Sequence, residues 1–459
     1  MPPLIATGVF GLAIYGLFRL ERDPNVRASK AVWISVVWIA LSSSKTVSQW
    51  MQTGVALTVD QNLEGNPLER FIYSAILALG ILVLSRRGSR VWSVLRRNGP
   101  ILLFVAYGAA SVLWSDFPDV AFKRWTKSLG DFVIALIILT DLDACAAAKR
   151  FLMYASFLLI PISVLLVKYY PGLGMTYKHS WEAHVAVGIT NDKNMLGVIC
   201  LLFGLGAVWR IVWAFRGEDV PHRNRSVIAE AMLIAMVLWL LLRADSMTSL
   251  ACFVFGAGLI VITTFAAVRN SAVVHLLVGT TLVVAFSVLF LNVSSGILNS
   301  IGRDSTLTGR TEIWHEVIGL SGNPLIGTGF ESFWLGPRLE AMWSKHWWHP
   351  NEAHNGYIEV YLNLGWLGLA LLFAVVANGY RNCIRILRRN PELGGLKVTF
   401  LVIALIYSFT EAGFRMMLPI WSFFLFGAFA IPHSHSGQVC GKPDDTAKSK
   451  VAEHWYAEA

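Results

Sequence analysis

Thirteen apolar stretches of 14 to 21 residues follow one another along this chain, near 4–18, 31–48, 71–85, 99–114, 127–140, 151–169, 195–215, 228–243, 249–267, 273–292, 364–382, 397–410 and 416–432. About 20 apolar residues in a helix match the thickness of a bilayer's hydrocarbon core. A segment crossing that core must satisfy its own backbone groups, as a helix does. The succession predicts an all-α polytopic membrane protein with about 12–13 transmembrane helices and a long, partly helical extracytoplasmic loop. Only 15% of the 459 residues are charged, against about 25% in soluble domains, too few to cover a water-soluble surface. Disorder, collagen and disulfide scaffolds are excluded by 38 Gly, 16 Pro and 5 Cys.

The net charge is +9, but the basic residues sit in short patches between apolar runs, where they act as orientation signals. Nucleic acid is not an expected partner; membrane lipids are. One set of alternate connections (19–30, 85–98, 141–150, 216–227, 268–273, 381–397) holds 20 Lys and Arg in 71 residues. The other set, without the long connection, holds eight: Arg70, Lys123, Arg124, Lys127, Lys178, Lys193, Arg243 and Arg415. By the positive-inside rule the first set is cytoplasmic. The N-terminus is then expected outside and the tail inside, in a bacterial cytoplasmic (inner) membrane. The expected organisation is an N-terminal transmembrane bundle over 1–292, an extracytoplasmic catalytic loop over 293–364, C-terminal helices over 365–432 and a cytoplasmic tail over 433–459.

The long loop is where chemistry is expected. Long loops are usually functional or disordered, and five of the 18 tryptophans (Trp314, Trp334, Trp343, Trp347, Trp348) argue for a folded cap. Helical stretches are expected over 310–320 and 331–341. Pro350-Asn351 offers a helix start that places His354 in the first turn, sharing a face with Tyr357, Ile358 and Tyr361. A neutral imidazole there suits a general base acting on a hydroxyl, or forms an interfacial His–Tyr pair with no chemistry.

The string His354-Asn355-Gly356-Tyr357, followed by Gly365-Trp366-Leu367-Gly368, resembles the core motif of bacterial O-antigen ligases and polysaccharide polymerases. So do Gly309-Arg310-Thr311-Glu312-Ile313-Trp314, Asn323-Pro324-Leu325-Ile326-Gly327-Thr328-Gly329, Trp114-Ser115-Asp116-Phe117-Pro118-Asp119 and Gly188-Ile189-Thr190-Asn191-Asp192-Lys193-Asn194. The resemblance spans roughly 105–430. It implies a membrane glycosyltransferase that moves a glycan from an undecaprenyl diphosphate donor to a sugar hydroxyl, either on another glycan or on lipid A-core. It implies His354 as catalytic base and arginines on the diphosphate, with no cofactor, no metal and no nucleotide sugar. Where the family often has Ser-x-Ser-Arg, this chain has Ala244-Asp245-Ser246-Met247. Arg243, one turn earlier, is the expected substitute, and the change leans the reading toward a polymerase of exopolysaccharide or O-antigen repeats.

Guanidinium groups grip phosphate oxygens in bidentate fashion, so Arg310, Arg243, Arg124, Lys193 and Arg415 are the expected diphosphate ligands. A Glu411–Arg415 ion pair at i, i+4 is the structural alternative. Trp314, Trp347, Trp348 and Tyr357 are candidates for stacking on sugar rings; tryptophan is also a membrane-interface anchor. Asp141-Leu142-Asp143 matches a DxD pattern but falls at a cytoplasmic helix end. His346, His349 and His354 match no zinc spacing. A transporter reading is disfavoured because no internal repeat is visible.

Overall fold

The structure is a computed structural model and describes residues 1–21, 28–51, 66–177, 184–216, 223–265, 268, 270–290 and 308–431. It is all-α and polytopic. Each of the thirteen apolar stretches falls on a helix among the described residues: α1 (Pro3–Leu20), α2 (Val32–Ser43), α3 (Pro67–Arg86), α4 (Gly99–Ala110), α5 (Pro118–Leu139), α6 (Ala144–Tyr169), α7 (Lys193–Arg216), α8 (Arg223–Ala244), α9 (Met247–Ile262), α10 (Ser271–Phe290), α13 (Gly356–Arg389), α14 (Pro391–Tyr407) and α15 (Pro419–Ala428). Two further helices, α11 (Thr308–Gly319) and α12 (Gly336–Lys345), lie in the long connection. Among the described residues, six helices (α1, α3, α6, α7, α8 and α13) are long and apolar enough to cross a bilayer by themselves. The only strands among the described residues are Met175–Tyr177 and His184–Ala186, an antiparallel pair.

The helix starts are chemically specified. Proline at the first helical position, where no N–H is needed, opens α3, α5, α14 and α15. Asn66, Asp143 and Asn390 accept hydrogen bonds from the first-turn N–H groups of α3, α6 and α14. That use of Asp143, with Asp141 paired to Arg87 at 3.0 Å, accounts structurally for the DxD string.

One apolar core runs from Leu17 on α1 to Ile431 after α15. It holds a buried ion pair, Arg210 on α7 with both carboxylate oxygens of Glu230 on α8 (2.5 and 2.7 Å). An intramembrane arginine is tolerable only with such a partner.

A second, smaller core belongs to the loop: Ile313, Val317, Phe333, Trp334, Leu339 and Met342 gather around Ala353 and Leu362. The expected stretch 310–320 is α11. The expected helix over 331–341 is displaced: residues 331–335 turn, and the helix begins at Gly336, with Pro337 in its first turn, and ends at Lys345. Gly336 takes φ +54° where a Cβ would meet Phe117 at 2.5 Å, which fixes the start.

The cap sits on a break in α13. Gly365 has φ +65° and ψ −165°, so the helix is interrupted there. The freed backbone groups are taken over by the 323–329 segment: Trp366 and Leu367 donate to Pro324 and Leu325 carbonyls, and Thr328 and Gly329 donate to Leu362 and Asn363 carbonyls, all at 2.9–3.1 Å. A Cβ on Gly365 would lie 2.3 Å from the Leu325 backbone, and one on Gly327 2.4 Å from the Asn363 backbone. The 114–119 segment seats the other side. Trp114 donates to Ile326 O, Ser115 bonds Ser332, and Asp116 pairs with Arg338.

Candidate active site

Asn355 is the N-cap residue of α13, its Oδ1 accepting from Tyr357 and Ile358 N–H groups at 3.0 and 3.1 Å. The helix therefore starts at Gly356 and not at the expected Asn351. His354 lies outside it, in the left-handed region at φ +49°. The expected shared face of His354 and Tyr357 is corrected accordingly: Asn355 outcompetes Asn351 as cap, and the ring of His354 is aimed by the turn.

That turn points Nδ1 of His354 at two carboxylates, Glu352 Oε1 at 2.9 Å and Glu411 Oε2 at 3.1 Å. Glu411, 4% exposed, comes from the 408–418 connection between α14 and α15. Its other oxygen takes Arg310 Nη2 at 2.9 Å, and Arg310 also donates to Thr410 O. Arg415 Nε pairs with Glu331 at 3.4 Å, and its Nη1 lies 3.0 Å from Asn351 O and 3.6 Å from Glu352 Oε2. Arg124 on α5 donates to the Glu331 backbone carbonyl. One histidine, three carboxylates (Glu352, Glu411 and Glu331) and three arginines are thus linked in one network.

Burial alone would lower the His354 imidazole, but the hydrogen bonds and charges of Glu352 and Glu411 outweigh it and push the pKa up to about 10. The carboxylates thus favour the protonated ring, where the sequence reading expects a neutral imidazole. Glu352 shows the converse. Burial raises its carboxyl, while the His354 hydrogen bond and charge, with Arg415 and Arg310, bring it down to about 2. Arg415 is held firmly cationic: burial opposes its charge, and Glu331, Glu359 and Glu352 more than compensate.

Of the five expected phosphate ligands, the structure brings Arg310, Arg415 and Arg124 together. The anticipated Glu411–Arg415 pair is not formed; Glu411 holds Arg310 instead. Lys193 reaches the Asp245 carbonyl at 3.5 Å, and Arg243 is exposed at the end of α8; neither joins the His354 cluster among the described residues. The turn bearing the unusual Asp245-Ser246-Met247 nevertheless touches the site, through Thr248 to Thr410 at 3.1 Å.

The ring candidates separate too. Trp347 is 69% exposed, and Trp348 lies beside His354 with centroids 6.4 Å apart. Trp314 packs on the cap core and donates to Ala353 O. Tyr357 is turned inward, packed on Phe409 and Phe414 and donating to Leu405 O, which corrects its expected stacking role. His346 bonds Glu316 and His349 stacks on Trp343, so these histidines do not share a site with His354.

Glu352, His354 and Glu411 place donor atoms within 4.8 Å of one another, a set able to hold a cation. The same carboxylates already face Arg310 and Arg415, whose charges compete with a metal ion. Sequence reasoning missed Glu411 and Glu352 as partners of His354 and Glu331 as the partner of Arg415. Only the proximity of Glu352 was readable, since the other two come from distant elements.

Two cavities flank the 408–418 connection. One is mostly apolar, with Phe104, Trp125, Phe132 and Trp421 in its wall and Arg415, Glu331 and Glu359 beside them. The other is lined by Asp192, Asn194, Glu352, Tyr407 and Glu411.

Residues 231–373 match the family model described as O-antigen ligase. The chain is also 26% identical over 371 residues to the exopolysaccharide production protein ExoQ of Rhizobium meliloti (strain 1021), covering 76% of this chain and 79% of that protein. Both findings support the family whose motifs the sequence resembles. The family segment contains Arg310 and His354 and stops before Glu411 and Arg415.

Proposed function

We propose that this multi-pass membrane enzyme of the O-antigen ligase and polysaccharide polymerase family transfers a glycan from an undecaprenyl diphosphate donor to a sugar hydroxyl on the outer face of the cytoplasmic membrane. The observation that carries the reading is the convergence of Arg310 and Arg415 on the two carboxylates that hold His354 Nδ1. Those arginines, with Arg124, supply the positive charge that a departing diphosphate needs. The apolar cavity beside Arg415 suits the donor's isoprenoid chain. The acid-lined cavity repels phosphate and suits hydroxyl groups that donate to carboxylates, so it is the acceptor side.

In the reaction the acceptor oxygen bonds to the donor's anomeric carbon as the carbon–oxygen bond to phosphate breaks. The bonding electrons leave with the diphosphate. In the neutral form of His354 the hydroxyl proton passes to Nε2 while Nδ1–H stays on the carboxylates, an arrangement with the logic of a base oriented by a carboxylate. Neither a metal ion nor a nucleotide sugar takes part.

The departure at Met247 and the exopolysaccharide relative favour polymerisation of repeat units; the family model's description favours ligation to lipid A-core. Deleting the gene and sizing the carrier-linked glycan separates them: single repeats on the carrier are expected, and long carrier-bound chains would make the enzyme a ligase. Unchanged glycan in the deletion strain would overturn the transferase reading.

A further inference from the structure

Glu411 is a buried side chain that touches both halves of the proposed reaction. Its Oε1 faces Arg310 at 2.9 Å and its Oε2 faces His354 Nδ1 at 3.1 Å, with Asn194 Nδ2 on the same oxygen at 3.4 Å. We propose that Glu411 is a positioning residue that fixes the tautomer and direction of the His354 ring and ties that ring to the diphosphate-gripping Arg310. This rests on the function proposed above, and it assigns to Glu411 a role that the sequence motifs did not.

Glu352 also meets Nδ1, at 2.9 Å, so the two carboxylates must be weighed. Glu352 is 24% exposed in the turn before α13, whereas the Glu411 side chain is 5% exposed and held from three elements: Arg310 of α11, Asn194 of α7 and the His354 turn. A buried acceptor locked by several partners orients a ring better than one on a solvated turn. Its aspartate counterpart in hydrolase triads acts in this way, by holding the tautomer rather than taking the proton. The charged and titratable groups around the carboxylate are Arg310, His354, Glu352, Asp192, Tyr407, Cys252 and, along its own connection, Arg415.

The test uses the full-length protein in proteoliposomes with the carrier-linked repeat unit isolated from a strain lacking it. Glu411→Gln keeps the shape and removes the charge. The expected result is a fall in kcat of about 10²–10⁴-fold, a change in donor KM of less than about tenfold, and the rising limb of the pH profile, set by proton loss from His354, moved to lower pH. Glu411→Asp should recover part of kcat and move the limb back. Glu352→Gln should cost less than Glu411→Gln, and Glu316→Gln, at the remote His346 pair, should leave both measures unchanged. A Glu411→Gln enzyme that is folded by melting curve and shows the wild-type pH profile overturns the proposal. So does an equal loss in kcat with no movement of the limb, because a structural role alone produces it. A wild-type protein that makes no polymer in this assay would instead refute the transferase reading, leaving the Glu411 results unrelated to it.

Discussion

His354 has a left-handed backbone, two carboxylates on Nδ1 and a pKa near 10. The sign of its pH effect follows directly. Below pH 10 the imidazolium dominates, and the neutral ring able to accept a proton grows about tenfold for each pH unit. Measured kcat/KM should therefore climb from pH 6 to 9 and level off toward 10; a flat or falling profile would assign His354 a cationic role toward the diphosphate. His354→Ala should abolish transfer with normal accumulation, while His346→Ala and His349→Ala retain measurable turnover. Arg310→Lys keeps one charge but loses the planar fork that spans Glu411 and Thr410 O, so a drop of at least tenfold in turnover is expected; wild-type rates would leave Arg310 structural. At this scale the sequence named His354 and Arg310 because each lies in a short local motif, and Arg124 and Arg415 from their place on the outer side. It left out Glu411 and Glu331 because their contact with His354 and Arg415 is made only by the folding of segments about 60 to 85 residues apart. Lys193 and Arg243 were named on sidedness, which does not tell which outer charges converge.

Two elements hold this arrangement in place. The first is the break in α13, legible as Gly365 and as the Gly327-Thr328-Gly329 turn, but not as a pair, since nothing in either string announces the other. Gly365→Ala places a methyl group against the Leu325 backbone at a positive φ, costing about 1–3 kcal/mol in backbone strain before any clash. Limited proteolysis should cut 330–350 faster in that variant; an unchanged digestion rate would mean the cap does not depend on the break. The second is α5, whose fully buried Asp131 accepts from Trp38 Nε1, Met417 N and Ser422 Oγ at 2.9–3.0 Å. Met417 is two residues past Arg415, so Asp131 anchors the connection that carries Glu411 and Arg415. Asp131→Leu leaves three donors unsatisfied at about 1–3 kcal/mol each. A lowered melting temperature and reduced turnover are expected together, and full turnover at an unchanged melting temperature would remove Asp131 from this role.

Across the whole molecule the thirteen apolar stretches were readable because period and length survive any packing arrangement. The sites at which they meet were not, since a helix's partners depend on connections far along the chain. Orientation is the property that the charge bias alone supports. With a cysteine at Ser344, exposed on α12, an impermeant thiol reagent should label intact cells with a permeabilised outer barrier; one at Ser89, exposed in the Gly88–Leu95 helix, should not be labelled. Reversed labelling would place His354 on the cytoplasmic side and end the proposed mechanism. Transfer in the purified system should also persist in EDTA; its loss, restored by one divalent ion, would show that Glu352, His354 and Glu411 hold a metal during turnover.

The exchange of main-chain hydrogen bonds between 323–329 and the α13 break has a consequence for how such a protein can diverge. Main-chain bonds ask little of side-chain identity beyond the two glycines that let the strands approach. The stretch between them, from 330 to 362, is clamped at both ends to the membrane helix, leaving the surface of its interior free to vary in length and composition while His354 keeps its depth. A lineage could thus exchange one glycan for another by rebuilding the exposed ground around Trp347, without ever re-evolving the hinge on which the histidine is mounted.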